Sequence, residues 1–191
     1  MRPGGSQDPR AHPMTHRIYV KSTRVRDWDY TAASWYFVTI CTLDRTPVLG
    51  EVVNGEMQLS LAGRVVSKEW LQAQDVRANV ALDEFVVMPN HLHGIVVIEE
   101  SPATTPGSAS HRDASTRPRL HASSLGSIMG QFKSISTKRI WTSGFRDFAW
   151  QPRFYDHIIR SEASLDAIRR YIRDNPAKWT LDKDNPEGLR T

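Results

Sequence analysis

The sequence contains one cysteine, Cys41, in 191 residues. An intrachain disulfide is therefore impossible, and a cysteine-rich zinc site is excluded. Cys41 lies in the apolar run WYFVTICTL. Nothing near it in sequence would lower its pKa, so it reads as a packing residue and not a catalytic thiol. No stretch approaches ~18 consecutive apolar residues, which argues against a membrane-spanning helix. The opening MRPGGSQDPRAHPMTHR has no apolar core of the kind a secretory signal needs. The expectation is a cytoplasmic protein with no membrane partner, associated with the nucleoid if it handles DNA.

Excess charge is also scarce. Lys and Arg number 25 against 21 Asp and Glu, a formal net charge of +4. That balance permits a polyanionic partner without requiring one. A hydrophobic fraction of 39% is enough for a sizeable core, and the length suggests one domain.

The pattern along the chain divides it. Residues 1–30 are rich in Pro, Gly, Arg and Asp and read as a flexible arm, basic in HRIYVKSTRVR. SWYFVTICTL is aromatic and β-branched, hence a buried strand. VVNGEM carries Asn54-Gly55, a hairpin-turn signal for a small ribbon. SLAGRVVSKEWLQAQ reads as a helix with Ser60 as cap and Leu61, Val65, Trp70 and Leu71 as its apolar positions. VALDEFVVM and HLHGIVVIEE are strands joined by a tight Pro89-Asn90 turn.

Residues 101–123 then lose almost all apolar content and read as a disordered or solvated linker. SLGSIMGQFKSISTKRIW is a helix, with Leu125, Ile128, Phe132, Ile135 and Ile140 on its stripe and Lys133, Lys138 and Arg139 off it. FAWQPRFYDHII, interrupted by Pro152, is a short or edge strand. SEASLDAIRRYIRDNP is a helix capped by Ser161, with Leu165, Ile168 and Ile172 inward, ended by Pro176. Residues 181–191 form a tail. The order β-α-β-β-α-β plus one helix predicts an α+β fold: a ferredoxin-like two-layer split βαβ sandwich with an antiparallel sheet, plus an added C-terminal helix, over residues 31–180.

His91 and His93 stand one residue apart in the last apolar strand of the hairpin. Strand side chains alternate, so both imidazoles face one way while Leu92 faces the other. Same-face imidazoles can converge on one metal ion; the bland alternative is one surface and one core histidine. Two ligands make a poor site. Tyr171 and Asn175, four apart on the last helix, share a face and offer a nucleophilic hydroxyl and an amide oxygen. A half-buried aromatic and an ordinary helix-terminal residue before Pro176 are the plain readings of these two.

Taken together, LDEFVVMPNHLHGIVV, YFVTICT, SLGSIMGQFKS, WQPRFYDHIIR and YIRDNPAKW resemble the IS200-like (Y1, HUH-type) transposases, REP-associated tyrosine transposase subfamily, over about Tyr36 to Trp179. The resemblance implies a divalent metal, Mg²⁺ or Mn²⁺, on His91, His93 and a polar residue of the tyrosine helix, for which Asn175 is the candidate. It implies single-stranded DNA cleavage and strand transfer on hairpin (REP, palindromic) DNA through a 5′-phosphotyrosine, with Tyr171 as nucleophile, in DNA transposition. It admits a monomer or a homodimer. Tyr155, beside Asp156 and His157, is an alternative nucleophile. Lys133, Lys138, Arg139, Arg153, Arg160 and Arg173 are candidate DNA contacts, with Trp150 and Phe154 as stacking platforms. The rival function is a non-catalytic DNA-hairpin-binding regulator on the same fold. A metal-dependent hydrolase of small phosphoesters is a weaker third.

Overall fold

Why a core strand would carry two imidazoles is answered by which face each layer covers. The computed structural model describes residues 28–100, 124–182 and 185. Most of the expected arm, the linker over 101–123 and nearly all of the tail lie outside the described residues.

Among these residues the strands are β1 (Ser34–Cys41), β2 (Gly50–Val53), β3 (Glu56–Leu59), β4 (Val80–Met88), β5 (His91–Ile98) and β6 (Tyr155–Ile159). The helices are α1 (Leu61–Gln72), α2 (Leu125–Thr142) and α3 (Glu162–Asp174). Strands β4, β5, β1 and β6 form one four-stranded sheet in that order, each neighbour antiparallel. β5 lies between β1 and β4, which run the same way: the expected split βαβ arrangement. β2 and β3 make a separate ribbon. Its turn puts Asn54 at φ 54° and Gly55 at φ 81°, the left-handed pair that an Asn-Gly hairpin supplies at little steric cost.

Each helix begins on a serine. The hydroxyls of Ser60, Ser124 and Ser161 accept from the backbone N–H groups of Gly63, Ser127 and Ser164. Such a cap stabilises a helix by about 1 kcal/mol relative to Ala.

One face of the sheet, from Tyr36, Val38, Ile40, Leu92 and Val96, packs on Trp70 of α1 and on Leu125, Ile128, Met129 and Phe132 of α2. Gly94 shares that face. A Cβ there would lie 2.4 Å from the Trp70 ring, so the strand and α1 meet more closely than any side chain allows. The apolar stripe of α1 differs from expectation. Ala62, Val66 and Trp70 turn inward with Glu69, while Leu61 and Leu71 stay exposed. The helix has two overlapping apolar stripes, and the approach of Gly63 to the Leu49 carbonyl selects one of them. In α2, Met129 and Ser136 join the buried side and Ile135 is only half-buried.

The opposite face has a much smaller core. Ile95 and Ile159 meet Leu165 and Ile172 of α3, flanked by Trp35, Phe37, Val86 and Ile168. α3 therefore covers only part of that face. His91 and His93 share it with Ile95 by strand alternation, and their end of the sheet faces the last turn of α3.

Candidate active site

The two imidazole centroids lie 4.4 Å apart, and both rings are buried. The fold fixes their orientation. Asn90, in the turn between β4 and β5, donates from Nδ2 to the Arg45 carbonyl at 3.0 Å. That leaves Asn90 Oδ1, a pure acceptor, 2.8 Å from His91 Nδ1. Nδ1 therefore carries the proton and Nε2 the lone pair, the tautomer a metal ligand needs. His93 pairs across the sheet with Thr39, whose hydroxyl lies 2.8 Å from His93 Nδ1. A Thr hydroxyl can accept that N–H and fix the second ring in the same way.

Tyr171 reaches this pair from α3. Its hydroxyl is 3.2 Å from His93 Nε2, and its ring is 42% exposed. Phe37 spaces the site, with centroids 5.3 Å from His93 and 6.1 Å from Tyr171. The helix is held by charge as well as by its small core. β4 has an irregularity between Leu82 and Phe85 that sets two residues, Asp83 and Glu84, against one on β5. In a regular strand consecutive side chains would oppose each other across the sheet; the bulge lets both carboxylates reach α3. Asp83 takes two hydrogen bonds from Arg169, at 2.9 and 2.7 Å, and Glu84 pairs with Arg173 at 2.7 Å. The hydrogen bonds from Arg169 hold the Asp83 carboxyl below its ordinary range, and Asp83 pushes the Arg169 guanidinium up.

Asn175, the residue after α3, is 3% exposed. Its Oδ1 is buried and meets no hydrogen-bond donor among the described residues. Leaving such a group unsatisfied costs about 1–3 kcal/mol, which a donor or a cation at that oxygen would recover. The chain then runs through a 3₁₀ turn, Pro176–Leu181, which sets Trp179 6.0 Å from His91. Asp182 follows. One ligand atom each from His91, His93 and Asp182 lies within 4.8 Å of the others. Two imidazoles and a carboxylate suit a divalent cation with some oxygen preference. Asp182 was not among the expected ligands. It lies in TLDKDN, outside any periodic element, and only the 3₁₀ turn brings it back to the histidines.

Tyr155 begins β6 and lines the same cleft, its ring centroid 6.3 Å from Phe37. Asp156, expected beside it, is buried on the opposite face and cannot serve it.

The basic candidates separate. Arg153 lines the cleft, joined there by Arg45, which the sequence reading did not single out. The Lys133 ammonium donates to the Gln151 and Arg153 carbonyls, and burial lowers its pKa to about 8. Arg139 pairs with Glu69 between α1 and α2, on the helical side of the sheet away from the histidines. Arg160 stacks over Trp28 at 5.6 Å, and Arg173 is engaged with Glu84. Lys138 is exposed on α2. Trp150 is buried, with Nε1 donating to the Ser136 hydroxyl at 3.0 Å, so it packs instead of offering a stacking face.

No family model matches the chain. An uncharacterised protein of Haemophilus influenzae is 34% identical over 164 residues, which is 85% of this chain and 91% of that protein. Among solved structures, a REP-associated tyrosine transposase bound to a REP hairpin superposes with a TM-score of 0.55. That match has 19% identity and covers 84% of this chain and 76% of the other. Among the described residues no helix is long and apolar enough to cross a membrane.

Proposed function

We propose, for a chain that belongs to one family with the Haemophilus influenzae protein and has the fold of an IS200-like, REP-associated tyrosine transposase, that it cleaves and rejoins single-stranded DNA at hairpins, as a transposase. The observation that carries this is the Tyr171 hydroxyl 3.2 Å from His93, with His91 beside it and the buried Asn175 oxygen one helical turn on.

His91 and His93, with Asp182, Asn175 or both, are the residues that would hold a divalent cation, Mg²⁺ or Mn²⁺. When bound, such a cation polarises a non-bridging phosphate oxygen and offsets charge that develops in the transition state. The protein supplies the rest. Asn90 and Thr39 orient the imidazoles. The ion pairs of Arg169 and Arg173 hold α3 so that Tyr171 faces the cleft. Arg45 and Arg153 add positive charge where the phosphodiester would lie.

Tyr171 Oη attacks phosphorus and the bond to the 3′ oxygen breaks. The phenolic proton passes to the water that the half-exposed ring meets, and the departing oxygen takes up a proton as a 3′-hydroxyl. The DNA is left joined by its 5′ phosphate to Tyr171. Attack by a 3′-hydroxyl on that linkage reverses the step without ATP, which makes strand transfer possible.

The test is a denaturing gel of the protein with labelled single-stranded hairpin DNA and Mn²⁺. A covalent adduct present in wild type and in Tyr155→Phe, and absent in Tyr171→Phe, is the expected result. Loss in Tyr155→Phe alone would move the nucleophile to β6. Tight binding with no adduct on any hairpin would leave the non-catalytic regulator.

A further inference from the structure

Two cavities adjoin across the segment that leads into β6. The first, of about 420 Å³, is the cleft with His93 and Tyr171. The second, of about 490 Å³, lies on the outer side of α2. Gln151 and Phe154 line both, so one opens beside the other. Among the described residues, neither is lined by any aspartate or glutamate. Arg45 and Arg153 line the first, and Lys133 and Lys138 the second. The cavity between α1 and α2 differs, with Glu69 and Asp75 in its wall. Cations are thus gathered along one path on a chain whose net charge is only +4.

The second cavity also has a fixed aromatic face. Trp141 is 45% exposed, yet its Nε1 donates to the Phe148 carbonyl at 2.8 Å. The indole is therefore held with little rotamer freedom left to lose on stacking. About three turns earlier on α2, Gly130 lines the same cavity without a side chain. Among the described residues, a Cβ on Gly130 would meet nothing within 4 Å. Lys133 ties the Gln151 and Arg153 carbonyls together, which stiffens the wall between the cavities. Basic grooves with aromatic platforms are how proteins hold single-stranded nucleic acid.

We infer that the cavity on α2 is a subsite for single-stranded DNA flanking the cleaved bond, with an unstacked base on Trp141 and backbone phosphates on Lys138 and, where the strand enters the adjoining cleft, on Arg153. This rests on the strand-transfer reading. It adds a track that the histidine site does not require.

Fluorescence anisotropy tests it, using a labelled DNA hairpin with and without an extension of about 8 nucleotides on either side. The proteins are wild type, Trp141→Ala, Trp141→Phe and Lys138→Gln. Extension on one side is expected to tighten wild-type binding. Trp141→Ala loses about tenfold of that gain and Trp141→Phe keeps most of it. Lys138→Gln lowers the salt slope by about 1 on the extended DNA. Equal gains in all four proteins, or no gain from either extension in wild type, would overturn the subsite. The same samples are scored for covalent adduct. A Trp141-dependent gain without adduct sinks the chemistry and leaves the subsite. Adduct without such a gain sinks the subsite alone.

Discussion

Arg169 of α3 and Asp83 in the bulge of β4 meet through two parallel hydrogen bonds, at 2.9 and 2.7 Å. The helix that carries Tyr171 is thus moored at the sheet edge by a fork that only Arg can make. Arg169→Lys keeps the charge and loses the fork. It is expected to lower the Tm slightly, since the pair is only partly shielded, and to slow adduct formation at saturating DNA more than it weakens binding. A variant that bound and reacted as wild type does would separate this pair from the positioning of Tyr171.

The same pair sets a pH dependence. Asp83 titrates below its unfolded value, so its contribution is complete above the unfolded value of ~3.9 and is lost as pH falls through the lower folded value. The Tm difference between wild type and Asp83→Asn should be constant from neutral pH down to about pH 5 and shrink only in stronger acid. A difference that vanished between pH 7 and 6 would point to some other group.

Lys133 moves stability in the same direction with pH, but over an alkaline window. Burial lowers its pKa to about 8, so the folded state releases its proton before the unfolded chain does at ~10.4. Stability should therefore rise relative to Lys133→Met as pH climbs through that window. Thermal melts of both proteins at pH 7, 8, 9 and 10 give the comparison, and parallel curves would refute it.

Addition of Mn²⁺ should raise the Tm of wild type, because a ligand that binds only the folded state stabilises it, by about 2.7 kcal/mol at a hundredfold excess over Kd. EDTA should reverse the rise. His91→Ala and His93→Ala should abolish it. Asn175→Ala and Asp182→Ala, compared at one concentration, assign the oxygen ligand: whichever cuts the shift more holds the ion more directly. Shifts equal to wild type in both histidine variants would remove the cation from this site.

Asn90 touches no substrate in this scheme, yet it sets the His91 tautomer. Asn90→Ala should weaken Mn²⁺ binding by about 10- to 100-fold, as removal of an orienting partner does in metal sites. Isothermal titration reads that directly. Asn90→Asp, which still accepts from Nδ1, should retain most of the affinity.

How much of this was legible in the sequence differs by element. Periodicity placed all three helices, and Ser60, Ser124 and Ser161 follow the capping rule that local chemistry enforces. Alternation put His91 and His93 on one face, and helical spacing put Tyr171 and Asn175 on another. These are short-range regularities. Asp182 returns to the histidines only through a 3₁₀ turn, and Arg45 reaches the cleft from a left-handed backbone at φ 54° that no pattern announces. The rotation of α1 was misread for a related reason. It depends on a close approach to Leu49, which is a tertiary fact. Arg139 was legible as a helix cation, but the carboxylate that claims it, Glu69, lies 70 residues away.

Gly94 bears on the cleft from behind. It follows His93 in β5, and its missing side chain lets the strand settle onto the flat of Trp70 on the far side of the sheet. The indole works as a shim: its thickness sets how deep the strand sits, and with it the height at which the neighbouring imidazole meets the Tyr171 hydroxyl. A tryptophan buried on the helical side of the sheet thereby gauges the distance between the Tyr171 hydroxyl and His93.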